Sequence, residues 1–282
     1  MDRCRTAALL ALVLAGCDAP PPQLPVDHAP DTPRRSSLHG PAYTLSGRVV
    51  WDGQPPALAQ VNALRPKSGG GIIALSRPHP NVPRIDPATH GLAGAVVTLR
   101  GIDPSNAKPW DHPPVTIELH DERPLVRQGD APPVNVGFVR RGDVVTMVSR
   151  QDRFHILRAR GAAFWSLTFP DADRSRTRRL AAEGRVDLTS AAGDYWMHAY
   201  LFVSDHPYWT RTAADGRWEL RDVPAGDYQV VVWLPSWRVT KVERDPESGG
   251  VSRWTMAAGP EKGYSVTVGS SDVSVPDFIF RD

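Results

Sequence analysis

Apolar and polar residues alternate in this chain in short runs of four to nine residues, punctuated by turn residues such as glycine, proline and aspartate-glycine. That pattern leaves room for little but β structure. Tyr43 to Trp51 alternates and then breaks at Asp52-Gly53, and Ala95 to Arg100 reads as a clear strand. Further strands are expected at 115–119, 134–140, 143–149, 155–158, 163–169, 184–188, 195–203, 209–212, 217–221, 228–234 and 264–268. No window of similar length carries a period of 3.6, and 28 prolines and 23 glycines supply the turns. The stretch from Pro55 to Gly91, with Gly69-Gly70-Gly71 and Arg77-Pro78-His79-Pro80, reads as loops with one short strand. Strands at this spacing predict an all-β architecture of two sandwiches.

The formal net charge of +2 gives no electrostatic footprint for a nucleic acid partner. At the start of the chain, Arg3 and Arg5 precede a short apolar run from Ala7 to Ala15, as in a secretory signal, and the run is too short to span a bilayer. The sequence Leu14-Ala15-Gly16-Cys17 that follows resembles the lipobox of bacterial lipoproteins. The resemblance implies cleavage after residue 16 and lipid attachment at Cys17. The partner is then the membrane, on the periplasmic face of the inner membrane or at the outer membrane. Cys4 would leave with the signal, so the mature chain would have no thiolate to offer a metal. Residues 17–42 form a proline-rich linker whose His28 and His39 are read as solvated.

Two stretches resemble known families. Thr212-Ala213-Ala214-Asp215-Gly216-Arg217-Trp218-Glu219-Leu220, followed by Val223-Pro224-Ala225-Gly226-Asp227-Tyr228, resembles the carboxypeptidase regulatory-like domain, a small transthyretin-like sandwich. Its tight turns suit Asp-Gly and Pro-Ala-Gly. The strands that usually open that family appear far upstream, as Ser46-Gly47-Arg48-Val49 and Ala93-Gly94-Ala95-Val96. The intervening residues have the length of an inserted domain. The family implies stability and adhesion roles and brings no catalytic residues.

The second resemblance spans Val115 to Val203 and is to the cupredoxins, Greek-key sandwiches of the plastocyanin type. It rests on Gly142-Asp143-Val144-Val145, on Ser149 to His155, and on Ala191-Ala192-Gly193-Asp194-Tyr195-Trp196-Met197-His198-Ala199-Tyr200. A type 1 copper site takes two imidazoles, a thiolate and a weak axial thioether. Carried over by position, His155 matches the first imidazole and Met197 the axial sulfur. Ala191 stands where the thiolate belongs, Asp194 where the second imidazole belongs, and Ser149 replaces a loop-bracing Asn. The resemblance thus implies a copper fold with a vestigial metal set of His155, Asp194 and Met197 and no resident cofactor. A non-blue copper or zinc site using His155, Asp194 and His198 is the alternative.

Five of the nine tryptophans lie between Trp196 and Trp237. Most are expected to fill cores, while Trp209 and Trp237, beside turns, are the candidates for exposed ligand-binding rings. Arg174, Arg176, Arg178, Arg179 and Arg185 read as a solvated basic loop. In Asp205-His206-Pro207, neighbouring side chains face opposite ways, so a structural turn is expected. No Gly-x-Ser-x-Gly elbow, His-Glu-x-x-His pair or phosphate loop occurs, so the chain is not expected to be an enzyme.

The expected organisation is a signal at 1–16, a linker at 17–42, and a β segment at 43–111 available to complete the C-terminal sandwich. A cupredoxin-like domain at 112–203 and a carboxypeptidase regulatory-like domain at 204–282 follow. The expected function is that of an envelope lipoprotein acting as a non-catalytic binding or structural module with an envelope protein or glycan partner. A periplasmic copper-binding or electron-transfer protein with an altered centre and a carbohydrate-binding protein are the alternatives.

Overall fold

The computed structural model describes residues 40–58, 60–66, 70–121, 123–247 and 249–282. The signal, Cys17 and the linker up to residue 39 lie outside the described residues. Among the described residues the one helical element is a 3₁₀ turn at Pro104–Asn106, and the rest is strand and loop. No helix there is long and apolar enough to cross a membrane.

Four sheets form two sandwiches. In the terminal sandwich, one sheet is built on Ala42–Trp51, which pairs antiparallel with Arg217–Pro224 and parallel with Val273–Ser274 and Phe278–Phe280. The facing sheet orders Trp209–Arg211, Val96–Arg100, Gly226–Trp233 and Glu261–Val268. Leu45, Val49, Val97, Leu99, Leu220, Val230, Val232 and Phe280 meet between them.

The strands Val96–Arg100 and Trp209–Arg211 are antiparallel neighbours, with Thr98 opposite Trp209. The residues between them build the central sandwich. One of its sheets orders Arg176–Arg179, Val144–Ser149, Val115–His120 and Arg123–Gln128, and the other Trp165–Phe169, His155–Gly161, Gly184–Ser190, His198–Ser204 and Val136–Arg140. Alternation carries the packing: in Val115–His120, Val115, Ile117 and Leu119 are buried, and in His155–Gly161, His155, Leu157 and Ala159. Each aliphatic side chain so buried contributes about 1.5–3 kcal/mol.

The outer faces of the two sandwiches meet. Val96 and Trp233 from the terminal sandwich pack on Val136, Phe138, Tyr200 and Phe202 from the central one. The Trp233 ring lies 5.0 Å from Tyr200 and 5.2 Å from Phe202. Val230 to Trp233 are therefore buried on both faces, as the lack of alternation at this strand end requires.

Several expectations are corrected here. The stretch from Pro55 to Gly91 holds the hairpin Val61–Pro66 with Ile72–Arg77 and the short strand Arg84–Ile85, because backbone pairing needs no apolar alternation. Arg176–Arg179 is an edge strand rather than a loop, held by its ladder to Val144–Met147 with all four side chains exposed. The hairpin Val239–Arg244 with Val251–Met256 and the strand Arg123–Gln128 are further elements with no sequence expectation.

Candidate functional site

The loops that close one end of the central sandwich bring the His155 region to the 191–197 segment. The Ala191 amide donates to Ile156 O at 2.8 Å, which seats the second loop beside the start of the His155 strand. Ser149 is fully buried, and its hydroxyl donates to Gln151 O at 3.2 Å and accepts from Gln151 N at 3.3 Å. It braces the first loop. In the second loop, Ala192 N donates to Ser190 Oγ and Met197 N to Asp194 O.

His155 has no solvent exposure, and Asp194 is 2% exposed. His155 Nδ1 faces Asp194 Oδ2 at 3.6 Å, beyond hydrogen-bond length, and neither ring nitrogen has a hydrogen-bond partner. The other carboxylate oxygen of Asp194 accepts from Arg153 Nη2 at 2.9 Å. Met197 is buried in the central core, while His198, the next residue, turns the other way, where its Nε2 meets Tyr195 O at 3.1 Å. Burial, above all, lowers the His198 pKa to about 4.

This donor set does not fit a type 1 copper centre. Such a centre is built on a thiolate, and the segment offers Ala191 in its place. The carboxylate beside His155 is already engaged by a guanidinium, whose positive charge opposes a cation at the same oxygens. Among the described residues, no three His, Cys, Asp or Glu side chains gather as a metal-binding group. Arg153, which the sequence reading did not single out, has one signal in hindsight: it lies two residues before His155 in the same loop.

Trp209 and Trp237 do not stand exposed. Trp237 is 5% exposed, its ring edge-on to Trp51 at 5.3 Å and its Nε1 donating to Asp282 Oδ1. Trp209 is half-buried between Phe202, Phe138 and His206. Both positions lie beside turns, but the turns sit at junctions between packed layers. His206 is likewise structural: its Nδ1 accepts from Tyr208 N, while Asp205 pairs with Arg141.

Two open clefts of about 270 Å³ each flank the His198 strand. His79, His198, Asn81 and Trp237 line the first. Asn81 is 3% exposed and donates to Tyr200 Oη at 2.9 Å and to Ser236 O at 2.7 Å, so it ties the 55–91 segment to both sandwiches. The second runs under the Val251–Met256 strand and is lined by Arg158, Arg160, Arg185 and Arg253.

No family model matches the sequence, and no curated protein does either. Among solved structures, a Cu(I) form of an amicyanin methionine variant is similar at 14% identity and a TM-score of 0.25, over 32% of this chain and 81% of that one. Another Cu(I) amicyanin variant gives 13% identity and a TM-score of 0.26, over 38% and 97%. A copper-containing nitrite reductase from Thermus scotoductus SA-01 gives 14% identity and a TM-score of 0.26, over 34% of this chain and 24% of its own length. These neighbours are copper proteins of cupredoxin-like fold. At such scores the likeness carries no argument about chemistry, and the all-β sandwich class rests on the strand ladders themselves.

Proposed function

We propose that this chain is an envelope lipoprotein, anchored through Cys17, whose cupredoxin-like sandwich has lost its type 1 copper site and serves as a non-catalytic binding or structural module. What supports the reading is the Arg153–Asp194 pair beside His155: a guanidinium is hydrogen-bonded to the carboxylate that replaces a metal-binding imidazole. A half-exposed guanidinium paired with a buried carboxylate in this way resists removal, because breaking the pair leaves Asp194 charged in a dry site.

One observation favours a second reading, an altered copper or zinc centre. Both nitrogens of the His155 ring are buried without a hydrogen-bond partner, and an orphaned imidazole of that kind is open to a ligand. Calorimetric titration of the full chain with copper(II) and with zinc separates the two. The module reading expects no saturable uptake and no change in His155→Ala. Stoichiometric uptake abolished by His155→Ala would establish the altered centre instead. The anchor is tested separately: Cys17→Ser is expected to move the protein from the membrane to the soluble fraction of the envelope.

A further inference from the structure

The second cleft holds more positive charge than its surroundings balance. Arg158 and Arg160 project from the same face of the His155–Gly161 strand, opposite Thr189 and Asp187 of the neighbouring strand. Asp187 does not neutralise Arg160, because Arg185 holds both its oxygens, at 2.7 and 3.2 Å. Arg160 instead leans over the Phe164 ring. Arg158 has no carboxylate partner among the described residues, and its Nε is buried with no hydrogen bond. From the overlying strand Arg253 joins them, and its own acid, Glu243, approaches only to 3.9 Å.

Burial first, and then the like charges of Arg253 and Arg160, depress the Arg158 guanidinium below its ordinary value. A buried donor without a partner is destabilising, and three guanidiniums brought together repel one another. An anion in the cleft would remove both penalties.

We propose that this cleft binds a phosphate monoester group, its dianion seated among Arg158, Arg160 and Arg253 beside the hydroxyl of Thr189. The choice of phosphate follows from charge and shape. Two arginines without any acid, joined by a third that is weakly paired, match a dianion better than a single carboxylate. Guanidinium forks reaching in from two strands also suit a tetrahedral oxyanion, which accepts from several directions, where a carboxylate accepts in one plane. Trp233 and Trp254 also line the cleft, and its volume has room for a small organic substituent on the phosphate. Asp194 and Met197 also line this cleft, but the residues assigned to the anion, Arg158, Arg160 and Arg253, include none of those offered to a metal, so the inference does not depend on a metal at His155.

The test titrates the full chain with inorganic phosphate at constant ionic strength, read by tryptophan fluorescence and by thermal shift. Saturable binding is expected, weakened at least tenfold in Arg158→Gln and several-fold in Arg253→Gln, and unchanged in Arg176→Gln on the far edge strand. Without phosphate, Arg158→Gln should melt no lower than the parent, since it relieves like-charge repulsion. Should Arg158→Gln fail to fold, Arg160→Gln and Arg253→Gln, with their exposed side chains, carry the comparison. Absence of saturable binding, or equal weakening by Arg176→Gln, would overturn the proposal. A second arm uses Cys17→Ser protein and phosphatidylcholine vesicles with or without phosphatidic acid. Capture that depends on phosphatidic acid and is competed by inorganic phosphate assigns the group to a lipid headgroup. Phosphate binding without such capture assigns it to a soluble ester.

Discussion

Acid should destabilise this protein well before its carboxylates titrate. His79, His198 and His206 all have pKa values lowered from 6.5 to about 4, in each case chiefly by burial. The like charge of His198 adds to the effect of burial at His79, while the Tyr195 carbonyl and Asp187 at His198, and Asp205 at His206, offset only part of it. Between pH 6.5 and 4 the unfolded chain therefore binds protons that the folded chain refuses. Unfolding takes up protons, and stability falls as pH falls across that window. At 1.36 kcal/mol per pKa unit, each histidine accounts for about 3 kcal/mol by pH 4. Two of them would consume much of the roughly 5–15 kcal/mol that holds a domain folded. His112 is shifted in the same direction, again chiefly by burial. The carboxylates held low by hydrogen bonds, such as Asp86 and Glu118, lose their contribution only as pH falls below the ordinary carboxylate range, so the two effects separate. The assay is urea denaturation at half-unit steps from pH 7.5 to 4.5, with calorimetry in two buffers of different ionisation enthalpy to count protons. A flat profile above pH 4.5, or no proton uptake on unfolding, would refute the reasoning. His206→Asn and His79→Gln should each flatten the profile in proportion.

Two substitutions test how the layers are joined. Asn81→Ala removes the donor to Tyr200 Oη and Ser236 O and should cost about 2–3 kcal/mol, read as a lower urea midpoint at unchanged slope. A loss below 0.5 kcal/mol would mean that these bonds are replaced by water. Gly216→Ala should cost more than about 1 kcal/mol, because Gly216 has a φ of +82° and a Cβ there would stand 2.1 Å from Val49 O. An unchanged melting temperature would show that this turn yields.

What could be read from the sequence was whatever repeats locally. Arg217–Pro224 buries Trp218 and Leu220 between exposed Arg217, Glu219 and Arg221, so its period of two is visible in the letters. The edge strand Arg176–Arg179 has no such signal, because its partners are backbone groups of Val144–Met147 and its side chains all face water. The burial of Trp209 and Trp237 escaped for a related reason: a turn between packed layers has the same composition as a turn in solvent. At the candidate site, the family resemblance singled out His155 and Asp194, but not Arg153, whose hydrogen bond to Asp194 crosses from one loop to another. The arginine cleft was harder still. Its members come from strands whose order in the sheet, and whose cover by the 239–256 hairpin, appear only when the chain is folded.

The path of the chain through the two sandwiches also sets an order of events during synthesis. Apart from a single bridge from Val50 to Gly91, the strand Ala42–Trp51 finds its ladder partners in Arg217–Pro224 and the last two strands, and Val96–Arg100 waits for Trp209–Arg211 and Gly226–Trp233. At about 5–20 residues per second, the first strand waits roughly ten to thirty-five seconds for its antiparallel ladder partner. The central sandwich, whose strands are contiguous from Val115 to Ser204, has everything it needs long before that. It can close first and then act as a splint, delivering residue 209 next to residue 98 and so removing most of the loop-closure entropy that would oppose the terminal sandwich. The early apolar strands are thus the ones exposed to mispairing, and a slowed or destabilised central sandwich would be felt first as aggregation of the segment that precedes it.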